Sequence, residues 1–125
     1  MSLNDGKWHH VCLTWNNSAG TWNLYLDGAL RGSGSGLGTG LSLHGRGRLV
    51  LGQDQDNFSK SFIGNITQFN LWDHVMEQAT IKNMSRYCDK NQTIGNITFW
   101  SEFRMNITGQ AQIILKSSCN ATCKF

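Results

Sequence analysis

Apolar and polar residues alternate with period two over residues 8–15, WHHVCLTW, which sets Val11, Leu13 and Trp15 on one face and His10, Cys12 and Thr14 on the other. That pattern predicts a β-strand with both faces partly buried. Residues 16–20 form a polar turn, and the alternation resumes in residues 21–28, TWNLYLDG, with Trp22, Leu24 and Leu26 on one side. Asp27-Gly28 signals a tight two-residue hairpin, because both residue types tolerate positive φ, and residues 29–31 supply the return strand. A short apolar run at residues 49–52 stops at Gly52 and passes at once into Asp54, Gln55 and Asp56. Residues 62–72 alternate again. Over residues 75–86 the spacing changes to that of a helix, with Met76, Ala79, Ile81 and Met84 apolar and polar residues between them. Residues 96–100 and 111–116 read as further short strands. Many short strands, turns rich in Gly and Asn, and a single helix predict an all-β sandwich.

Composition narrows this picture in three ways. At 125 residues the chain is at most one domain, and five Trp with six Phe make its core aromatic. No run of about 18 apolar residues occurs, so no transmembrane segment is expected, and the opening MSLNDG has neither the basic nor the apolar region of a signal peptide. The net charge of +3 comes from scattered Lys and Arg. Its one basic knot, HGRGR at residues 44–48, reads as a solvated loop, so nucleic acid is not an expected partner. Seven of the sixteen residues 32–47 are glycine, but no phosphate-cradle spacing and no following helix accompany them, which predicts a mobile surface loop.

The compartment is legible in the sequons. Asn-x-Ser/Thr begins at Asn16, Asn57, Asn65, Asn83, Asn91, Asn96, Asn106 and Asn120. Composition alone predicts about two such tripeptides. An excess of acceptors predicts a glycoprotein that passes through a secretory route, and hence an extracellular protein, secreted or the ectodomain of a membrane protein. In an oxidising compartment the four cysteines, Cys12, Cys88, Cys119 and Cys123, are expected in disulfides, with three pairings open.

Asp54 and Asp56 are two residues apart, so in an extended segment they share a side, with the Gln55 carbonyl oxygen between them. Hard oxygen donors of this kind suit Ca²⁺, although oxygen-rich turns are also ordinary loop chemistry. Catalysis is not expected. His10, His44 and His74 have no Gly-x-Ser-x-Gly elbow beside them, no His-Glu-x-x-His helix occurs, and His9 and His10, adjacent on a strand, point to opposite faces. A histidine there is expected to fill part of a strand face with its ring nitrogens hydrogen-bonded.

Taken in order, GKWHHVCLTW, WNLYLDG, LVLGQDQD and FIGNITQFNLWDHVM with the helix after it resemble the pentraxin family, whose His-x-Cys-x-Ser/Thr-Trp signature is present as His10, Cys12, Thr14 and Trp15. The C-terminal part looks most like neuronal pentraxins and the pentraxin-like modules of adhesion receptors. The resemblance implies an antiparallel jelly-roll sandwich similar to concanavalin A and laminin-G domains, with one short helix. It places the C-terminal portion of a pentraxin-like domain, N-terminally truncated, over residues 5–119 and leaves 120–125 as a tail. It further implies extracellular recognition of a protein or small polar ligand, leaves homo-oligomerisation open, and maps calcium ligands onto Asp54, Gln55 and Asp56. It implies a Cys88 to Cys119 disulfide, because the family partner of Cys12 belongs to the part of the domain this chain does not resemble. The calcium set is incomplete by the same comparison. The loop after Asp56 is shortened to NFSKS, no carboxylate occurs between Asp56 and Asp73, and Lys60 falls near the position of a family glutamine. An interaction module of a larger receptor that works without calcium is therefore the alternative to a calcium-dependent one.

Overall fold

The computed structural model describes residues 3–54, 57, 59–86 and 94–115. Its centre is an antiparallel meander of β1 (Val11–Asn16), β2 (Thr21–Leu26) and β3 (Ala29–Gly34). The register pairs Leu13 with Leu24 and Trp15 with Trp22 across β1 and β2, and Leu24 with Gly32 and Trp22 with Gly34 across β2 and β3. The apolar positions therefore stack row upon row on one face, as the period-two alternation requires. Gly32 and Gly34 have a packing role in that row. A Cβ on Gly34 would lie 2.7 Å from the indole nitrogen of Trp22, so the ring lies over the backbone of β3 where no side chain stands.

The turn between β2 and β3 is the one expected from Asp27-Gly28, with φ of +52° and +76°. The Asp27 N–H donates to the His10 carbonyl at 2.8 Å, which extends the β1–β2 ladder by a further pair. Gly28 also receives α1 (Gln78–Met84). A Cβ at this position would come within 2.6 Å of Ser85 Oγ and 3.0 Å of Lys82 Cα, so the backbone of the turn packs directly on the last turn of the helix. Tyr25 and Leu26 at the end of β2, Ile81 of α1, and the polar Thr14 and Ser85 are buried. The Ser85 hydroxyl donates to the Lys82 carbonyl at 2.8 Å, satisfying a helix-terminal acceptor that would otherwise be orphaned.

Several elements are shorter than the sequence pattern predicts. The helix expected over 75–86 occupies Gln78–Met84, because Glu77 is extended (φ −67°, ψ 145°) and makes no side-chain cap. The strand expected over 62–72 reduces to β4 (Asn70–Leu71), and the one over 96–100 to β5 (Thr98–Phe99), the two pairing antiparallel. Trp100 instead opens a second helix, α2 (Trp100–Phe103), where a single helix was expected. The Glu102 carboxylate accepts the Phe99 N–H at 3.3 Å and the Thr98 hydroxyl, which turns the chain out of the strand. Residues 49–52 form no strand beyond a bridge between Gln53 and Ser61, and residues 111–115 are irregular. For the strands, a favourable sequence pattern is not enough, because a ladder needs a partner strand to accept its backbone groups.

The first half of the glycine-rich segment is not a free loop. Gly36 and Leu37 N–H groups donate to the carbonyls of Ala19 and Gly20, Gly40 to Asn17, and the Trp15 indole to Leu37 at 2.7 Å. Glycine serves close approach here rather than mobility. A Cβ on Gly20, which has φ of +63°, would fall 2.5 Å from the Leu37 nitrogen.

The apolar face of the meander is open. Val11 and Leu13 are 54% and 64% exposed, while Thr14 on the opposite face is buried. The expected partial burial of both faces of β1 is met by Cys12 and Thr14 on one side and by the half-buried Trp15 on the other, where Val11 and Leu13 are exposed.

Replacement of Gly28 by Ala is expected to destabilise the fold by about 1–3 kcal/mol, since it combines a strained positive φ with overlap on Ser85 and Lys82. Chemical denaturation of the variant measures this, and a loss under about 0.3 kcal/mol would show that α1 does not seat on the turn.

Candidate functional site

Gly52, at φ of +79°, bends the apolar run 49–51 into a narrow hairpin. The Phe62 N–H donates to the Gly52 carbonyl at 2.8 Å, Gln53 bridges Ser61, and the Asp54 N–H donates to the Lys60 carbonyl at 3.1 Å. The tip is closed by Asn57, whose carbonyl accepts the Lys60 N–H at 2.9 Å and whose side-chain oxygen accepts both the N–H and the hydroxyl of Ser59. This geometry places Asp54 and Lys60 at facing positions on the two arms, both exposed. Gln55 and Asp56, the other expected calcium ligands, lie outside the described residues. Asp54 is thus the one expected ligand among the described residues, and Lys60 stands opposite it in the backbone pairing. Among the described residues no group of three His, Cys, Asp or Glu is placed to hold a metal ion.

A second polar constellation joins β4 to β5. The Asp73 N–H donates to Asn96 Oδ1 at 3.1 Å, and Asn96 Nδ2 donates back to Asp73 Oδ1 at 2.8 Å. Trp72 Nε1 donates to the Ile94 carbonyl at 3.1 Å, and the Ile97 N–H to Leu71. Trp72 is half-buried. Gly95 is wedged between the strands, where a Cβ would lie 2.3 Å from the Thr98 carbonyl oxygen. Asn96, followed by His74, holds the Asp73 carboxyl below its usual range. Beside this lattice lies an open cavity of about 200 Å³ lined by Gln68, Asn70, Ile94, Phe99, Trp100 and Ser101. Gln68 takes the left-handed conformation (φ +56°), and its carbonyl accepts from Asn70 Nδ2.

Among the sequon asparagines, Asn16, Asn57, Asn65, Asn83, Asn96 and Asn106 are exposed, and Asn96 Nδ2 is the one that donates to a carboxylate, that of Asp73, among the described residues. Asn91 and Asn120 lie outside the described residues, as do Cys88, Cys119 and Cys123. Cys12 is half-buried and makes no disulfide among the described residues, and burial pushes its thiol up.

His9 and His10 immediately precede β1. Burial pushes His10 down, and its enclosed Nδ1 has no hydrogen-bond partner among the described residues, whereas the ring nitrogens of His9 both have one. His9 lies between Asp5 and Asp27, a contact that strand periodicity could not supply because Asp27 reaches it through the hairpin turn.

Comparison with known proteins agrees with this chain of features. The sequence model of the Pentaxin family matches residues 2–115. The chain belongs to the pentraxin family. It is 40% identical over 128 aligned residues to the sushi, von Willebrand factor type A, EGF and pentraxin domain-containing protein 1 of Rattus norvegicus, covering 98% of this chain and 4% of that protein. To the neuronal pentraxin receptor of Mus musculus it is 35% identical, over 99% of this chain and 26% of the relative. Human neuronal pentraxin-1 is 36% identical, over 87% of this chain and 26% of the relative. This pentraxin chain thus spans about a quarter or less of the length of these relatives.

Replacing Asn96 with Ala removes two hydrogen bonds to Asp73. The Asp73 titration, followed by NMR, moves back up toward an ordinary carboxylate in the same variant. An unmoved Asp73 would show that Asn96 does not hold it.

Proposed function

We propose that this pentraxin chain is an extracellular recognition module that binds a protein or small polar ligand and performs no catalysis. Family membership over residues 2–115 carries the reading. Relatives named as a receptor and as a multidomain protein with a pentraxin domain support it, as does the excess of sequons. In this reading the two antiparallel sheets belong to a jelly-roll sandwich, Cys88 pairs with Cys119, and the exposed asparagines carry glycans. No helix among the described residues is long and apolar enough to cross a membrane.

Calcium dependence is the finer part of the proposal, with Asp54, Gln55 and Asp56 as ligands at the hairpin. When bound, the cation would offer open coordination positions to oxygen groups of a ligand. Lys60 on the facing arm favours a second reading, in which the module binds its partner without calcium. An ammonium there occupies electrostatically the place a dication would take.

Thermal unfolding in millimolar Ca²⁺ and again in chelator separates the two. A native-state site held at 100 times its dissociation constant adds about 2.7 kcal/mol, a midpoint shift of several degrees that Asp54→Ala abolishes. A cooperative melt with no shift refutes calcium dependence. The extracellular reading has its own measurement. Digestion with peptide N-glycosidase lowers the mass of protein made in a secreting cell, and an unchanged mass would remove the sequon argument.

A further inference from the structure

His9 bridges two carboxylates that belong to different parts of the fold. Its Nδ1 lies 2.8 Å from Asp27 Oδ2, and its Nε2 lies 3.1 Å from Asp5 Oδ1. A neutral imidazole has one N–H and one lone pair, and a carboxylate only accepts. Both contacts can be hydrogen bonds at once only when both ring nitrogens carry protons. Removing either proton turns one contact into an apposition of lone pairs on a carboxylate and an imidazole nitrogen.

The two arms are unequally anchored. Asp27 is fixed in the β2–β3 turn: its Oδ1 accepts the His10 N–H at 2.9 Å, and its own N–H donates to the His10 carbonyl. Asp5 belongs to the segment leading into β1, where its Oδ1 also accepts the Lys7 N–H at 3.0 Å. It is the more exposed of the two carboxylates and makes the longer contact. When one contact must fail, the Asp5 arm is the one free to leave.

We propose that His9 is a proton-operated latch: as an imidazolium it clamps residues 5–8 to the β2–β3 turn, and as a neutral ring it releases them. The charged and titratable groups around it are Asp5 and Lys7 on its own segment, its neighbour His10, Asp27 on the turn, and Lys82 where α1 packs on Gly28. His10 does not compete for the proton, since burial favours its neutral form. The Asp27 hydrogen bond first, then that of Asp5, raises His9 above its ordinary value of 6.5.

The pH window follows from those directions. A group raised on folding contributes fully below its unfolded value and loses that contribution as pH rises through the folded value. The latch is therefore closed in mild acid and opens on the alkaline side. Its acid limit is set by Asp5, which the Lys7 N–H and then His9 hold below 3.8, so this arm is lost only as pH falls through that lowered value.

The test is a pH titration of the 125-residue chain followed by NMR of the His9 ring and of the amides of residues 5–8. Asp27→Asn and Asp5→Asn are the variants, because asparagine keeps the carbonyl acceptor for the His10 or Lys7 N–H, and at position 27 it tolerates positive φ. The expected result is a His9 midpoint above the ordinary histidine value that falls in both variants. Residues 5–8 should be ordered below that midpoint and released above it. A His9 midpoint unmoved by both substitutions, or residues 5–8 equally ordered on both sides of it, overturns the latch.

Discussion

Asp27 and Gly28 hold the one turn on which three parts of the fold converge. Their positive φ values set the β2–β3 hairpin, and the backbone pairing of Asp27 with His10 brings the start of β1 to the same corner. The missing side chain of Gly28 lets α1 approach to direct backbone contact. The Asp27 carboxylate then serves two donors at once, the His10 amide and the His9 ring. A residue with a Cβ at position 28, or without a carboxylate at position 27, cannot meet all of these demands. The register of the meander, the seat of the helix and the attachment of residues 5–9 are consequences of one local geometry.

Away from that corner the fold is thin. Tyr25, Leu26 and Ile81 are the buried apolar residues among those described, and the row of Val11, Leu13, Trp22 and Leu24 lies on a face that is open or half-open to water. What holds the remaining segments is backbone pairing and a few side-chain hydrogen bonds. The glycine-rich strip is fastened to the β1–β2 turn by Trp15 and Asn17, and β5 is fastened to β4 by Asn96 and Asp73. Each works because glycine removes a steric obstacle next to it, Gly20 in the first case and Gly95 in the second.

The two polar sites differ in kind. At the first, backbone hydrogen bonds join residues 52–54 to 60–62, and the Asp54 and Lys60 side chains are exposed. The His9 cluster joins backbone elements and has both ring nitrogens occupied by the chain's own carboxylates, so it acts on the fold rather than on a ligand.

The sequence by itself determined the features that short-range chemistry controls. Asp27-Gly28 specified its turn, alternation specified which residues of β1 and β2 share a face, and the order of the His10, Cys12, Thr14, Trp15 signature and the Asp54 segment specified the family. Only the tertiary structure decided which face is covered and which strands find partners. Val11 and Leu13 carry the same alternation signal as Leu24 and Leu26, yet burial depends on what lies opposite. Residues 62–69 alternate as well as residues 70–71 do, yet among the described residues only the latter join a two-stranded ladder. The role of His9 was illegible for the same reason: Asp27 is eighteen residues away along the chain, and only the hairpin brings the carboxylate to the ring.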